Sequence, residues 1–231
     1  MNDVPDERDI QENYRRVLER IHAAAAKCGR SGGAIRLIAV TKTVSPGRIR
    51  AAVERGVTDI GENRLQEALP KRETLSALPV TWHFIGHLQT NKAKKVVEAF
   101  DWVQSLDRLD LAEKLNQYAV RRLPVLIEVK LHDEPAKSGM PGGQLEPFLG
   151  QIAELKNLDV RGLMAIPPLL DDPEDSRPYF RRLRELGGRF RLQELSMGMS
   201  HDFEIAIEEG ATMVRIGTAL FGARQSGQGA R

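Results

Sequence analysis

The chain has 231 residues, of which 41% are hydrophobic and 29% charged, the proportions of one globular domain long enough to bury a sizeable core. Its net charge of +2 comes from scattered rather than massed basic residues, which argues against a nucleic-acid partner. One cysteine, Cys28, allows neither an internal disulfide nor a Cys/His metal set. The polar residues 1–13 do not read as a signal peptide, and no apolar run reaches the about 18 residues of a membrane span, so cytoplasmic residence is expected.

From the N-terminus, residues 6–27 read as a helix that precedes the first strand. Residues 36–42 (Arg-Leu-Ile-Ala-Val-Thr-Lys) are a continuous apolar run of strand type that ends on Lys42. Ser45-Pro46 then signals a helix start, with proline at the first helical position. The pattern repeats. Strand-like runs at 59–63, 81–86, 102–107, 124–130, 160–167, 194–198 and 213–217 bring the total to eight. Helical stretches at 64–75, 90–99, 109–121, 144–155, 173–186 and 201–209 separate them, with Asp107 and Ser200 as candidate N-caps. Such alternation predicts parallel βαβ units, and a single (β/α)8 TIM barrel is the simplest way to close them. An open doubly wound sheet competes, but the Gly-x-Gly-x-x-Gly turn it calls for after the first strand is missing. One domain over 1–231 is expected, with 224–231 a loose tail.

The unusual residues fall at the C-terminal ends of the predicted strands, where barrel active sites are built. A lysine at position 42 would lie partly desolvated in the barrel mouth, which favours a neutral amine able to attack an aldehyde. The alternative is a lysine reaching out to solvent. Arg215 interrupts the apolar strand Met213-Val-Arg-Ile-Gly217 and needs a buried partner or an exit to water. It is either half of a structural salt bridge or a donor to a pyridine nitrogen, which it would keep unprotonated. Gly217-Thr218 opens a short helical turn, and Ser196-Met-Gly-Met-Ser200 is a second small-residue loop beside it. Barrels often bind phosphate between these two loops, although Ser200 is also open to a plain capping role. Asn63 would donate to a phenolate oxygen or cap the next helix. His83 and His87 have the spacing of a metal pair, but they bridge a strand end and lack a third ligand, so no metal is expected.

Seven segments in order carry a resemblance. They are Ala39-Val-Thr-Lys42, Gly61-Glu-Asn63, His83-Phe-Ile-Gly-His-Leu-Gln-Thr-Asn-Lys92, Lys137-Ser-Gly139, Gly162-Leu-Met-Ala-Ile-Pro167, Leu195-Ser-Met-Gly-Met-Ser200 and Arg215-Ile-Gly-Thr-Ala-Leu-Phe-Gly222. Together they closely resemble the pyridoxal 5′-phosphate (PLP) homeostasis proteins from about Ile35 to Gly222. The resemblance implies the fold type III of PLP proteins, the N-terminal barrel of alanine racemase, here with an extra N-terminal helix. It implies Lys42 as the Schiff-base lysine and Arg215 facing the pyridine nitrogen. By the same match Ser200, Gly217 and Thr218 hold the phosphate, with Asn63 and Ser196 near the ring. This chain departs from the family at His201, where an acidic residue is common, and in the proline-containing stretch 131–135.

The family's members bind, buffer and deliver PLP, so the resemblance implies a carrier with PLP-dependent apo-enzymes as transient partners and no catalytic residues. A PLP-dependent enzyme, such as a weak racemase or lyase, is the competing reading, and a Schiff-base aldolase without PLP is a third. Two-base racemization needs an acid or base on each face of the substrate carbon. Alanine racemase takes its second one, a tyrosine, from a C-terminal β domain. Only nine residues follow Gly222, so that domain is expected to be missing, and Tyr14, Tyr118 and Tyr179 all fall in predicted helices. A monomer without membrane contact is expected.

Overall fold

The computed structural model of the chain describes residues 7–132 and 138–222. Lys137, residues 133–135 and the tail 224–231 lie outside the described residues. Strands β1 (Arg36–Val40), β2 (Asp59–Glu62), β3 (Thr81–Phe84), β4 (Trp102–Leu106), β5 (Leu123–Lys130), β6 (Met140–Pro141), β7 (Leu158–Met164), β8 (Glu194–Met199) and β9 (Met213–Ile216) form one sheet in the order β4-β3-β2-β1-β9-β8-β7-β5-β6. An additional β4–β5 pairing closes the sheet on itself. Every pairing is parallel, so the eight expected strands make a closed barrel. The two-residue β6 hangs on β5 outside that ring and is too short to leave a sequence pattern.

The helices are α1 (Glu7–Lys27), α2 (Pro46–Glu54), α3 (Leu65–Thr74), α4 (Ala93–Ala99), α5 (Leu109–Tyr118), α6 (Leu145–Ile152), α7 (Arg177–Arg189), α8 (Phe203–Glu208) and α9 (Thr218–Phe221). Ile10, Val17, Ile21, Ala24 and Ala25 give α1 one buried stripe, which packs across α2, α8 and α9. Three of the expected helices open with a 3-10 turn, at Thr90–Lys92, Gly142–Gln144 and Pro173–Ser176. Among the described residues, no helix is long and apolar enough to cross a membrane.

Two expected caps are corrected. Asp107 does not cap α5; its carboxylate accepts from Arg108 Nη1 at 2.6 Å, and Arg108 takes the cap position. Ser200 does not cap α8 either. That helix starts after Asp202, whose Oδ1 accepts from the Met199 amide at 2.7 Å.

Apolar side chains separate into two bodies. The large one fills the layer between strands and helices. The small one, Ile38, Leu126, Met164 and Met213 with Trp102 against it, comes from β1, β5, β7, β9 and β4 and lies inside the barrel. The rest of the barrel interior is polar, and two of the three register shifts between strands serve it. On β4 one extra residue intervenes between Val103 and Leu106 relative to β5. On β8 one intervenes between Ser196 and Met199 relative to β9. Such bulges re-aim side chains near sites. Gly198, in the second bulge, has φ +88°, and a Cβ there would stand 2.5 Å from Ala206 Cβ.

Candidate functional site

Arg215 is 4% exposed on β9, level with Ile38 of β1. Its Nη1 donates to Ser196 Oγ at 2.7 Å and its Nη2 to the Ala165 carbonyl at 2.9 Å. Both acceptors are neutral, and Arg215 makes no ion pair among the described residues. The structural salt bridge is therefore not the explanation of this residue. Desolvation pushes its pKa down to about 10, against the through-space pull of Glu128 and Asp202, and the group stays charged at neutral pH. A buried cation without a direct ion pair is costly to a fold that gains nothing else from it.

Two residues on, Gly217 packs against Val40 at the end of β1, where its Cβ would lie 3.5 Å from Val40 Cβ. The Gly217 and Ala219 amides both donate to Ser200 Oγ, at 3.3 and 3.2 Å. The two small-residue loops are thereby tied together by one hydroxyl. Thr218 is exposed at the start of α9. Ser196, by contrast, is wholly buried, and its hydroxyl is spent on Gln104 Oε1 at 2.7 Å while it accepts from Arg215.

Lys42 departs from expectation. β1 ends at Val40, and Lys42 sits in the turn beyond, with an exposed side chain that makes no hydrogen bond or ion pair among the described residues. It is not the partly desolvated strand residue that the apolar run suggested. The cause is long-range. The Thr41 carbonyl accepts from Lys71 Nζ at 2.6 Å, and Thr41 Oγ1 donates to Glu62 Oε1 at 2.7 Å. Lys71 and Glu62 themselves pair at 2.7 Å, with Glu62 fully buried. On the other side, Thr43 adopts φ +62°, a left-handed conformation that a β-branched residue avoids, and its amide donates to Glu67 Oε2 at 3.3 Å. The amine is free, but the backbone on both sides of it is fixed.

Asn63 follows β2, and its Oδ1 is buried without a hydrogen-bond partner among the described residues. It does not cap α3, whose N-cap is Arg64. Gly86 is needed here, because a Cβ on it would stand 2.2 Å from the Asn63 carbonyl oxygen. His83 and His87 are separated in role. His83 is fully buried between Asp59 and Gln104, whereas His87 is exposed and meets Ser138 Oγ at 3.2 Å.

Residues 6–225 match the family described as the N-terminal domain of alanine racemase. The chain belongs to that family. A pyridoxal phosphate homeostasis protein of Aquifex aeolicus is 48% identical over 223 residues, which span 93% of this chain and 98% of the relative. One from Pseudomonas aeruginosa is 45% identical, over 94% of this chain and 97% of its own length. Among solved structures, PipY of Synechococcus elongatus with PLP bound superposes with a TM-score of 0.79 at 38% identity, covering 89% of this chain and all of that one.

Sequence reasoning missed four polar groups at this end of the barrel: Glu62, Lys71, Gln104 and Glu128. Gln104 and Glu128 had the signal that exposed Arg215, a polar residue inside an apolar strand. Burial pushes Glu128 up to about 7, with Asp107 adding to the shift and Arg215 and Lys130 opposing it. Burial also raises Asp202, which takes its place beside the loop while His201 faces solvent.

Proposed function

We propose that this chain binds PLP in the barrel mouth and serves, in the cytoplasm, to hold and hand on that cofactor rather than to turn over a substrate. The observation that carries the reading is the buried Arg215 guanidinium with no ion pair, on the strand next to the one that ends at the Lys42 turn. Its chemistry fits a heteroaromatic nitrogen acceptor, which accepts a hydrogen bond without bringing a counter-charge into the barrel. The orphaned Asn63 Oδ1 marks a second polar side chain not spent within the protein.

In this reading Arg215 faces the pyridine nitrogen, Asn63 borders the ring, and Gly217, Thr218 and Ser200 hold the phosphate. Ser196 acts on the ring through Arg215, since its own proton goes to Gln104. Lys42 would hold the cofactor covalently through its amine, and the bound group would supply the aldehyde for that link. An arginine against the pyridine nitrogen disfavours its protonation and so weakens carbanion stabilisation. Tyr14, Tyr118 and Tyr179 lie on α1, α5 and α7, not at strand ends, which supports a carrier over a two-base racemase. An exposed lysine also suits release to PLP-dependent apo-enzymes, and a monomer leaves the mouth open to them.

The test is spectroscopic. Purified protein with PLP should show a visible band that borohydride abolishes, with the reduced adduct mapped to Lys42. Lys42→Ala should lose the band and the adduct. A variant that keeps both would remove the lysine from the site, and steady α-proton exchange with an amino acid would overturn the carrier reading.

A further inference from the structure

Behind Arg215, four hydrogen bonds cross the barrel. Arg215 Nη1 donates to Ser196 Oγ at 2.7 Å, and Ser196 Oγ donates to Gln104 Oε1 at 2.7 Å. Gln104 Nε2 lies 3.0 Å from His83 Nδ1, and His83 Nε2 lies 2.8 Å from Asp59 Oδ1. The five residues are between 0 and 7% exposed. They come from β9, β8, β4, β3 and β2. β4 and β8 are not neighbours in the ring, so the Ser196–Gln104 bond spans the interior. Gln104 and Ser196 both lie at the register shifts of their strands.

Proton counting fixes every direction. A guanidinium only donates, so Ser196 accepts from it. At the other end the Asp59 carboxylate only accepts, so a neutral His83 carries its hydrogen on Nε2 and offers Nδ1 as acceptor. Gln104 faces it with its NH2, and the Ser196 proton goes to the Gln104 oxygen. Burial lowers the His83 pKa in spite of Asp59, consistent with the neutral ring this order demands. The far end approaches the surface, where Arg36 lies 3.8 Å from Asp59 and stacks over Trp102.

We propose that Gln104, with His83 and Asp59 behind it, is a positioning residue for Arg215: the line of bonds locks the Ser196 hydroxyl so that its lone pair, not its proton, faces the guanidinium. This rests on the reading that Arg215 meets the pyridine nitrogen. Without the Gln104 acceptor, the Ser196 proton has no fixed direction and Arg215 keeps only the Ala165 carbonyl as an oriented partner.

The experiment uses the full chain in two states. Without PLP, 15N resonances of His83 should report a neutral ring protonated at Nε2, and Gln104→Glu should convert it to the doubly protonated form, because a carboxylate cannot donate to Nδ1. With PLP labelled at the pyridine nitrogen, Gln104→Leu should move the pyridine 15N resonance in the same direction as Arg215→Leu and weaken PLP binding about tenfold. Gln104→Glu, which keeps the acceptor for Ser196, should restore the resonance toward wild type. Gln104→Met makes the same lesion with an unbranched chain should the leucine variant not fold. An Nδ1-protonated His83 overturns the proposal. So does a pyridine resonance that moves in Arg215→Leu but not in Gln104→Leu, and this outcome leaves the PLP reading intact. A resonance that moves in neither variant overturns the placement of Arg215 as well.

Discussion

Arg215 on β9 and Lys42 in the turn after β1, the strand paired with it, live in opposite surroundings. The arginine is buried, hydrogen-bonded on both Nη atoms and backed by a line of side chains through the barrel. The lysine is exposed and makes no hydrogen bond or ion pair among the described residues, while the backbone around it is held by Thr41, Glu62, Lys71 and Glu67. One side of the mouth fixes a side chain; the other fixes a backbone and leaves the side chain loose. An oriented donor needs a fixed direction, so its order is built in. In the proposed carrier, an amine that forms and releases a bond with an aldehyde would need reach and access to water.

If the backbone order beside Lys42 does come from the buried Glu62–Lys71 pair, breaking that pair should be the most damaging of the stability changes. Lys71→Met leaves a fully buried carboxylate without its partner, and the cost expected for such a lesion is about 3–5 kcal/mol. In a domain of this size the melting temperature should fall by roughly 10 °C. Glu62→Leu combined with Lys71→Met should recover much of the loss, since no uncompensated charge remains. Thermal and urea melts of both variants decide it. A loss below about 1 kcal/mol in the single variant would make the pair incidental.

The sequence made the barrel easy to read and its furniture hard. Strands of a closed parallel barrel are covered on both faces, so they stand out as apolar runs, and all eight were visible for that reason. Arg215 was conspicuous because it breaks such a run. Lys71 was not, because on a helix it looks like any solvent-facing lysine, and its burial is decided by Thr41 and Glu62, which belong to the ends of two different strands. The same long-range bonds shorten β1 and turned the expected strand-end Lys42 into a turn residue. Ser200 read locally as a helix cap. Its real partners, the Gly217 and Ala219 amides, are on another strand's loop.

Glu128 tests whether the arginine side is electrostatically tuned as well as hydrogen-bonded. Burial raises its pKa from 4.5 to about 7, with Asp107 adding to the shift and Arg215 and Lys130 opposing it. The folded state therefore holds a proton that the unfolded chain has lost between about pH 4.5 and 7. Stability from this group is complete below about pH 4.5 and drains as pH rises through 7. Glu128→Gln removes the titration. Its stability relative to wild type should grow between pH 4.5 and 8 by up to about 3 kcal/mol. Urea melts across that range give the slope directly. A constant difference between the two proteins would mean that Glu128 is ionised in the fold throughout.

The smallest expected effect is at Ser200, and it separates the two sides of the mouth most finely. Its hydroxyl is the shared acceptor of two backbone amides and the tie between the loops after β8 and β9. Ser200→Ala frees both amides, which lie near enough to the surface to find water, so the loss without PLP should be only about 1 kcal/mol. Because these loops meet the end of β1 at Val40, a phosphate held between them would lose a hydroxyl donor in the variant but keep the two amides. PLP affinity should then drop by several-fold, while borohydride still traps the adduct on Lys42. Titration and trapping on the same sample distinguish the outcomes. Weaker binding with intact trapping assigns the anion to this side and the covalent bond to the other, whereas unchanged binding would place the phosphate away from Ser200.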